Sequence, residues 1–254
     1  MGRVILCTGR GGTGKSTFAV LVSRCLGSPQ LLIDLDPDES LADMLGIDLE
    51  EKGKKTVSAM LHELTGGKAG RSDYNLFADV LSRIPGDCLY KGKGFDFLSL
   101  GTKFVVGCYC APDAVLKDFI PHIVQDYEEV IIDSPAGLEH FNRKIVVDID
   151  ELFVLLDPSE KSMKHIERVL GITRNLRVNY RHLYLLGNYR FSEESERALR
   201  SSGESYLGKI EYDVNVREFN LRGRPLLELP HDSPALRSVR KVLAQAGLIP
   251  GDVK

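Results

Sequence analysis

Tryptophan is absent from this chain, and no apolar run approaches the ~20 residues that a membrane-spanning helix needs. An excess of one charge is missing too. Lys and Arg number 33 against 36 Asp and Glu, a formal net charge of −3. That balance weighs against a protein whose main task is to hold nucleic acid, while leaving a local basic patch open. Cysteine is scarce and odd in number, at five. Reduced thiols or a metal site fit such a chain better than a disulfide framework. The opening Met1 to Leu6 is too short an apolar stretch for a secretory signal and reads as a strand, so a cytoplasmic setting is expected. There is no internal repeat, no low-complexity tract and no linker long enough to divide the chain. The expectation is one α/β domain over residues 1–254, large enough to bury a substantial core without covalent staples.

What is present is an alternation of short apolar runs with helical patterns. Val4–Thr8, Leu31–Ile33, Phe95–Leu100, Val130–Ile132, Leu152–Leu156, Leu183–Leu186 and Tyr206–Ile210 read as strands. Helices are expected over Lys15–Leu26, Ser40–Leu45, Val57–Leu64, Tyr74–Arg83, Val115–Val124, Glu160–Leu176 and Ala235–Ala246. This alternation implies a doubly wound, mostly parallel sheet with helices on both faces. The last helix, with Arg237, Arg240 and Lys241, reads as an amphipathic cover whose apolar face is modest for a membrane anchor.

The first strand runs into Gly9-Arg10-Gly11-Gly12-Thr13-Gly14-Lys15-Ser16-Thr17. Gly9-x-x-x-x-Gly14-Lys15-Ser16 is a complete P-loop, and it stands between a strand and a helix as the motif requires. Glycines let the backbone curl so that several N–H groups face phosphates. The following helix aims its positive end at the same anion. In this pattern Lys15 contacts the β- and γ-phosphates and the Ser16 hydroxyl ligates Mg²⁺. Acidic groups stand at other strand ends. Asp34, Asp36 and Asp38 follow the second strand, and Asp133 closes Glu129-Val-Ile-Ile-Asp133, with Gly137 just beyond. Carboxyl ends of parallel strands meet in one crevice, where such carboxylates can hold the Mg²⁺ shell or orient an attacking water. The fold class therefore becomes that of a P-loop NTPase.

A glycine-rich loop with a basic second residue resembles the deviant Walker A loop of the MinD/ParA class of dimeric ATPases. The resemblance implies ATP as ligand and a homodimer in which the second residue reaches the partner's nucleotide. That residue is usually Lys and is Arg10 here. Arginine also stabilises a transferring phosphoryl group. The resemblance places the two switch aspartates at Asp36 and Asp133 and the adenine-reading Asn at Asn188. Tyr189 stands where a Lys usually follows, and Glu211 replaces a common Pro.

Cys108-Tyr109-Cys110, together with Asp133-Ser-Pro-Ala-Gly-Leu-Glu-His-Phe-Asn-Arg143, resembles the CooC family, the ATPases that mature nickel carbon monoxide dehydrogenase. That likeness implies a nucleotide-dependent dimer with metal at Cys-x-Cys on the subunit interface, and a nickel enzyme as client. Read alone, the pair supplies two soft ligands, whereas Zn²⁺ or Ni²⁺ generally takes about four. A symmetric dimer is the simplest route to four thiolates. Pro112 and Asp113 suggest that a helix begins just after the pair, which would favour thiolates. Cys7 and Cys25 read as core, Cys88 stays open, and His122 and His140 read as structural or surface residues without being excluded as ligands.

The leading functional expectation is a cytoplasmic, dimeric ATPase acting as a metallochaperone, with ATP, Mg²⁺ and Ni²⁺ or Zn²⁺, and with no nucleic-acid or membrane partner. Lys15, Asp36 and Arg10 would carry catalysis. The alternative is a MinD/ParA-like positioning or regulatory switch without a metal role. An iron–sulfur scaffold fits less well, since no Cys-x-x-Cys follows Cys110.

Overall fold

A computed structural model describes residues 2–65, 74–102, 110–142, 144–146, 148–201 and 203–251. In chain order the elements are β1 (Arg3–Gly9), α1 (Lys15–Ser23), β2 (Gln30–Asp34), α2 (Ser40–Leu45), α3 (Val57–Thr65), α4 (Tyr74–Arg83), β3 (Tyr90–Lys91), β4 (Phe95–Ser99) and α5 (Cys110–Ile123). They continue with β5 (Glu129–Asp133), α6 (Glu139–Asn142), β6 (Asp148–Leu156), α7 (Glu160–Leu176), β7 (Asn179–Gly187), α8 (Glu193–Arg200), β8 (Tyr206–Lys209), α9 (Val214–Leu221) and α10 (Pro234–Gln245).

The strands form one eight-stranded sheet in the order β3-β4-β2-β5-β1-β6-β7-β8. The pairs are parallel except the two-residue β3, which lies antiparallel on β4. The expected doubly wound sheet is therefore present, with a short antiparallel edge added. Such a strand carries too few residues to show a period-2 pattern, which is why periodicity misses it.

Side chains alternate across the pleat and so divide the interior in two. Val4, Leu6, Leu31, Ile33, Val130, Ile132, Leu152 and Val154 face one core, covered by residues of α3, α5, α6 and α7. Ile5, Cys7, Leu32, Ile131, Phe153 and Leu155 face the other, covered by α1, α2, α9 and α10. On this second face the Phe153 ring packs between Phe18 of α1 and Tyr184 of β7, at centroid distances of 5.0 and 5.1 Å. The phosphate-loop helix is thereby fixed to the sheet. Helix α10 buries Leu236, Val239, Val242 and Leu243 in the same core, so its apolar face is spent on packing. Among the described residues, no helix is long and apolar enough to cross a membrane.

Helix α5 begins at Cys110, five residues before the Val115 expected from periodicity, so Cys110 is its first residue and not a residue ahead of it. Helices α6, α8 and α9 also escape that reading. Ser192 and Asp213 cap α8 and α9, each accepting a backbone N–H two or three residues on. Cys88 resolves as core: it is fully buried against the Met60 sulfur at 3.7 Å, and burial pushes its thiol up to about 12. Cys7 is likewise buried and raised, again chiefly by burial. Neither thiol is suited to ligate a metal. His140 is a core residue packed on the Phe141 ring at 4.1 Å, whereas His122 is exposed at the end of α5.

Replacing Phe153 by Ala removes the ring that joins α1 to the sheet. The expected cost is about 3–5 kcal/mol, read as a lower urea midpoint at an unchanged denaturant slope. His140 predicts a pH dependence. Burial, then the charges of Lys15 and His165, push its imidazole from 6.5 down to about 3. The unfolded chain takes up a proton as pH falls through 6.5, and the folded chain resists it until about pH 3. This residue's contribution is thus full above 6.5 and is lost as pH drops between those values, at up to about 1.4 kcal/mol per unit. Urea unfolding at pH 7, 6 and 5 should show a flatter profile for His140→Leu than for the unsubstituted chain.

Candidate functional site

Connection β1–α1–β2 leaves β1 toward one side of the sheet, and β5–α6–β6 crosses to the other. The direction of winding reverses at β1, and a crevice opens at the carboxyl ends there. The phosphate loop occupies it. Gly9 ends β1, where a Cβ would lie 2.4 Å from the Leu155 carbonyl oxygen, so the close approach of β6 demands glycine. Gly14 stands at the helix N-cap with φ 94° and carries no capping side chain. Helices α7 and α10 are capped by Ser159 and Ser233. The first N–H groups of α1 have no such partner, so they are available to an anion. Thr13 is buried and braces the loop by donating its hydroxyl to the Arg10 carbonyl at 2.8 Å. Gly11 and Gly12 are exposed at the tip, Lys15 is buried beneath it, and Ser16 and Thr17 are half-buried.

The parallel register sets the acidic wall. Asp34 of β2 lies beside Asp133 of β5, and Asp133 lies beside Cys7 of β1. The two carboxylates have different surroundings. Asp34 accepts the Asp36 N–H at 2.9 Å and the Leu41 N–H at 3.1 Å, so it holds both ends of the loop between β2 and α2. Asp133 is fully buried; no backbone N–H reaches its oxygens, and the Ser16 hydroxyl and the Lys15 ammonium are the favourable groups near it. Burial pushes it up to about 7, Asp36 adds to the shift, and the Ser16 hydroxyl and Lys15 ammonium oppose it. Burial and the Asp133 charge also push Asp34 well up.

A buried carboxylate with so few donors is stabilised by a further cation. Oxygen donors from Ser16, Asp133 and Asp36 around phosphates are the set that Mg²⁺ prefers. The residues present therefore fit that ion, which when bound would neutralise phosphate charge. Asp36 is half-buried two positions past β2, and Ser40 Oγ stands 3.2 Å from Ser16 Oγ. Gly137, with φ 99°, lies in the loop after β5.

Asn188 follows β7 and is buried. Its side-chain Oδ1 accepts the Arg190 N–H at 3.0 Å, and its Nδ2 has no partner. That free amide donor is what reading a base would require. Tyr189 and Tyr212 stand exposed beside it with ring centroids 5.6 Å apart.

Arg10 lies against its own chain. Its Nη1 donates to Ser159 Oγ at 3.1 Å and pairs with Asp157 at 3.4 Å, just past β6. The side chain is 36% exposed, and such pairs contribute only about 0–1 kcal/mol, so Arg10 is lightly held. Asp157, Ser159, Ser40 and the loop-holding role of Asp34 are features that sequence reading misses. A carboxylate just past a buried strand, as in Leu156-Asp157-Pro158-Ser159, was the available signal.

Gly9 to Thr17, Asp36, Asp133, Gly137 and Asn188 thus all fall at the carboxyl edge of the parallel strands. The cysteine pair is a different matter. Cys108 lies outside the described residues, as does the side chain of Cys110, whose backbone opens α5. Arg143 lies outside them too. Among the described residues, no group of three or more His, Cys, Asp or Glu is arranged to hold a metal.

Comparison with known proteins agrees with this geometry. An uncharacterized ATP-binding protein of Methanocaldococcus jannaschii is 28% identical over 94% of this chain and 96% of its own. The carbon monoxide dehydrogenase accessory protein CooC of Rhodospirillum rubrum is 26% identical over 95% of each chain. Septum site-determining protein MinD of Pyrococcus horikoshii, solved with Mg-ADP, shares the fold. It has a TM-score of 0.67 at 21% identity, over 97% of this chain and 96% of that one. A ParA family ATPase of Chlorobium tepidum gives 0.68 at 16%, over 94% and 96%. Residues 2–183 match the AAA_31 family, an AAA domain. The chain belongs to that family and is a P-loop ATPase of the MinD/ParA class.

Proposed function

We propose that this ATPase is a metallochaperone, one domain over residues 1–254. In this reading it works as a homodimer that carries Ni²⁺ or Zn²⁺ on paired Cys108 and Cys110 and delivers nickel to carbon monoxide dehydrogenase or a related nickel enzyme. The observation that carries the reading is Cys108-Tyr109-Cys110 itself, in a chain that aligns along nearly its whole length with the accessory protein CooC. Two thiolates from each of two copies supply the four soft ligands that one copy lacks. The metal is cargo, and ATP turnover sets when the pair closes on it.

For hydrolysis, the loop from Gly9 to Thr17 cradles the phosphates and Lys15 draws off the charge of the β- and γ-oxygens. Asp36 orients a water on the γ-phosphorus. The water oxygen bonds to phosphorus as the bond to the β,γ-bridging oxygen breaks, leaving ADP and phosphate. Ser16 and Asp133 would hold the Mg²⁺ that travels with the nucleotide. Asn188 reads the base. Arg10 crosses to the partner's nucleotide, exchanging its weak contacts with Asp157 and Ser159 for phosphate oxygens. The likeness to MinD proteins keeps a positioning switch as the second reading.

Lys15→Ala should lower kcat/KM for ATP by about 10²–10³, and Asp36→Asn should keep nucleotide affinity while slowing turnover by about 10². Arg10→Ala should reduce nucleotide-driven association and turnover more than it weakens ATP binding by a single chain, measured by light scattering beside titration calorimetry. Elemental analysis with mass in solution should find one metal per two chains. Cys108→Ser with Cys110→Ser should lose that metal and keep ATP binding. Metal retained by the double variant would overturn the metallochaperone reading and leave the switch.

A further inference from the structure

Two tyrosines stand uncovered beside the crevice. Tyr189 is 46% exposed and Tyr212 is 52% exposed. Their ring centroids lie 5.6 Å apart at an interplanar angle of 56°. Tilted rings at that separation already touch, so no flat ring fits between them and a ligand meets their outer sides. Arg190 steadies the first ring. Its guanidinium lies 5.4 Å from the Tyr189 centroid, and its Nε donates to the Tyr189 hydroxyl at 3.2 Å.

The strand register brings this pair to the nucleotide end of the sheet. Gly9 of β1 is level with Leu155 of β6, and Leu155 with Leu186 of β7. Asn188 and Tyr189 therefore stand just past the level at which the phosphate loop begins. Gly187 of β7 is level with Lys209 of β8, so Tyr212 reaches the same edge from the next strand. β7 is the second strand from β1, about 10 Å across the sheet at the usual spacing. A nucleotide whose phosphates sit in the loop carries its base over such a distance. Beside the pair, Asn188 is buried and its amide orientation is fixed. Oδ1 accepts the Arg190 backbone N–H, which only an oxygen can do, so Nδ2 is the end without a partner. The carboxylate that follows Tyr212 is spent on capping. Asp213 Oδ1 accepts the Asn215 N–H at 2.8 Å, and Oδ2 accepts the Ser233 hydroxyl and, at 3.3 Å, the Ala235 N–H.

We propose that Tyr189 and Tyr212 form an aromatic platform for the nucleotide base, and that this platform, with Asn188 as its reader, accepts 6-oxopurine nucleotides as well as adenine nucleotides. Stacking is blind to base identity, because every base has a π-face. Identity is read at the edges. Adenine presents an N7 acceptor and an N6 amino donor, whereas guanine presents N7 and O6, both acceptors. The unengaged end of the Asn188 amide is a donor. It suits N7 of either purine, and it suits O6 but not the N6 amino group. The polar side chain that meets the base therefore gives adenine no advantage. Nδ2 lies out of contact with water, so the base reaches it as the exposed rings turn aside. The inference rests on the proposed role of Asn188 and extends it to the class of base; it is independent of what the cysteines bind.

The experiment measures phosphate release from the Mg²⁺ complexes of ATP, GTP and ITP by the full-length chain. In the unsubstituted chain, kcat/KM for GTP and for ITP should fall within about tenfold of that for ATP. Tyr189→Ala and Tyr212→Ala should each raise KM for all three by about 5- to 150-fold, the range that loss of one base–aromatic stack implies, with a much smaller change in kcat. Tyr189→Phe and Tyr212→Phe keep the rings and should restore KM, a rescue that a role for the hydroxyls would not show. Asn188→Asp replaces the free donor by an acceptor, and should move the ratio of kcat/KM for ATP to that for GTP toward ATP by about tenfold or more. A preference of the unsubstituted chain for ATP above about 100-fold overturns the inference. So does an unchanged KM in either alanine variant. If Asn188→Asp still shifts the ratio in that case, Asn188 remains the reader of the base and the platform alone fails. If the ratio stands unchanged too, the proposed role of Asn188 fails with it.

Discussion

Asp34 and Asp133 stand at the same level on adjacent parallel strands, and the rest of the site follows from that register. Hydrogen bonding between β2, β5 and β1 sets which residues end each strand at the crevice, and one step of slip would turn each of these side chains to the opposite face. The strand cores prevent such a slip, because alternate residues fill two separate apolar interiors. Two carboxylates are thereby held close together out of water. One is satisfied by backbone N–H groups and becomes a clamp on the loop bearing Asp36. The other has no backbone donor and stands beside the Ser16 hydroxyl and the Lys15 ammonium.

This division of labour explains why the phosphate loop does not act alone. Its own contribution is an uncapped helix start and a buried lysine, a ready anion site. Asp133, beside Ser16, would add an affinity for the cation that accompanies a nucleoside triphosphate. Anion and cation sites reinforce each other only when both are filled by one ligand, which favours a nucleotide carrying its ion over free phosphate.

Arg10 and Glu39 flank the site. Arg10 is held by one long ion pair and one hydroxyl contact, both partly open to solvent. Glu39 occupies a strained backbone position stabilised by a few exposed hydrogen bonds. Both belong to the lightly stabilised fraction of an otherwise densely buried sheet, which is where conformational response to a ligand is expected.

The chain's local pattern was enough to determine the phosphate loop, the doubly wound sheet and the spans of α2, α4 and α7, since each rests on near-neighbour chemistry: glycine spacing, alternation, helical period. Asp36 and Asp133 could also be placed, because each follows a recognisable buried strand, whereas Asn188 was reached only through the family resemblance. The two-residue β3 was not legible, since its pairing depends on β4. Nor could spacing tell Asp34 from Asp36 within Asp-Leu-Asp-Pro-Asp, or show that Cys88 is an inert core thiol. The Arg10 contacts span 147 and 149 positions, and the Glu39–Thr102 contact spans 63. Only tertiary structure decides such pairs, because they form where strands distant in sequence end at one level of a sheet.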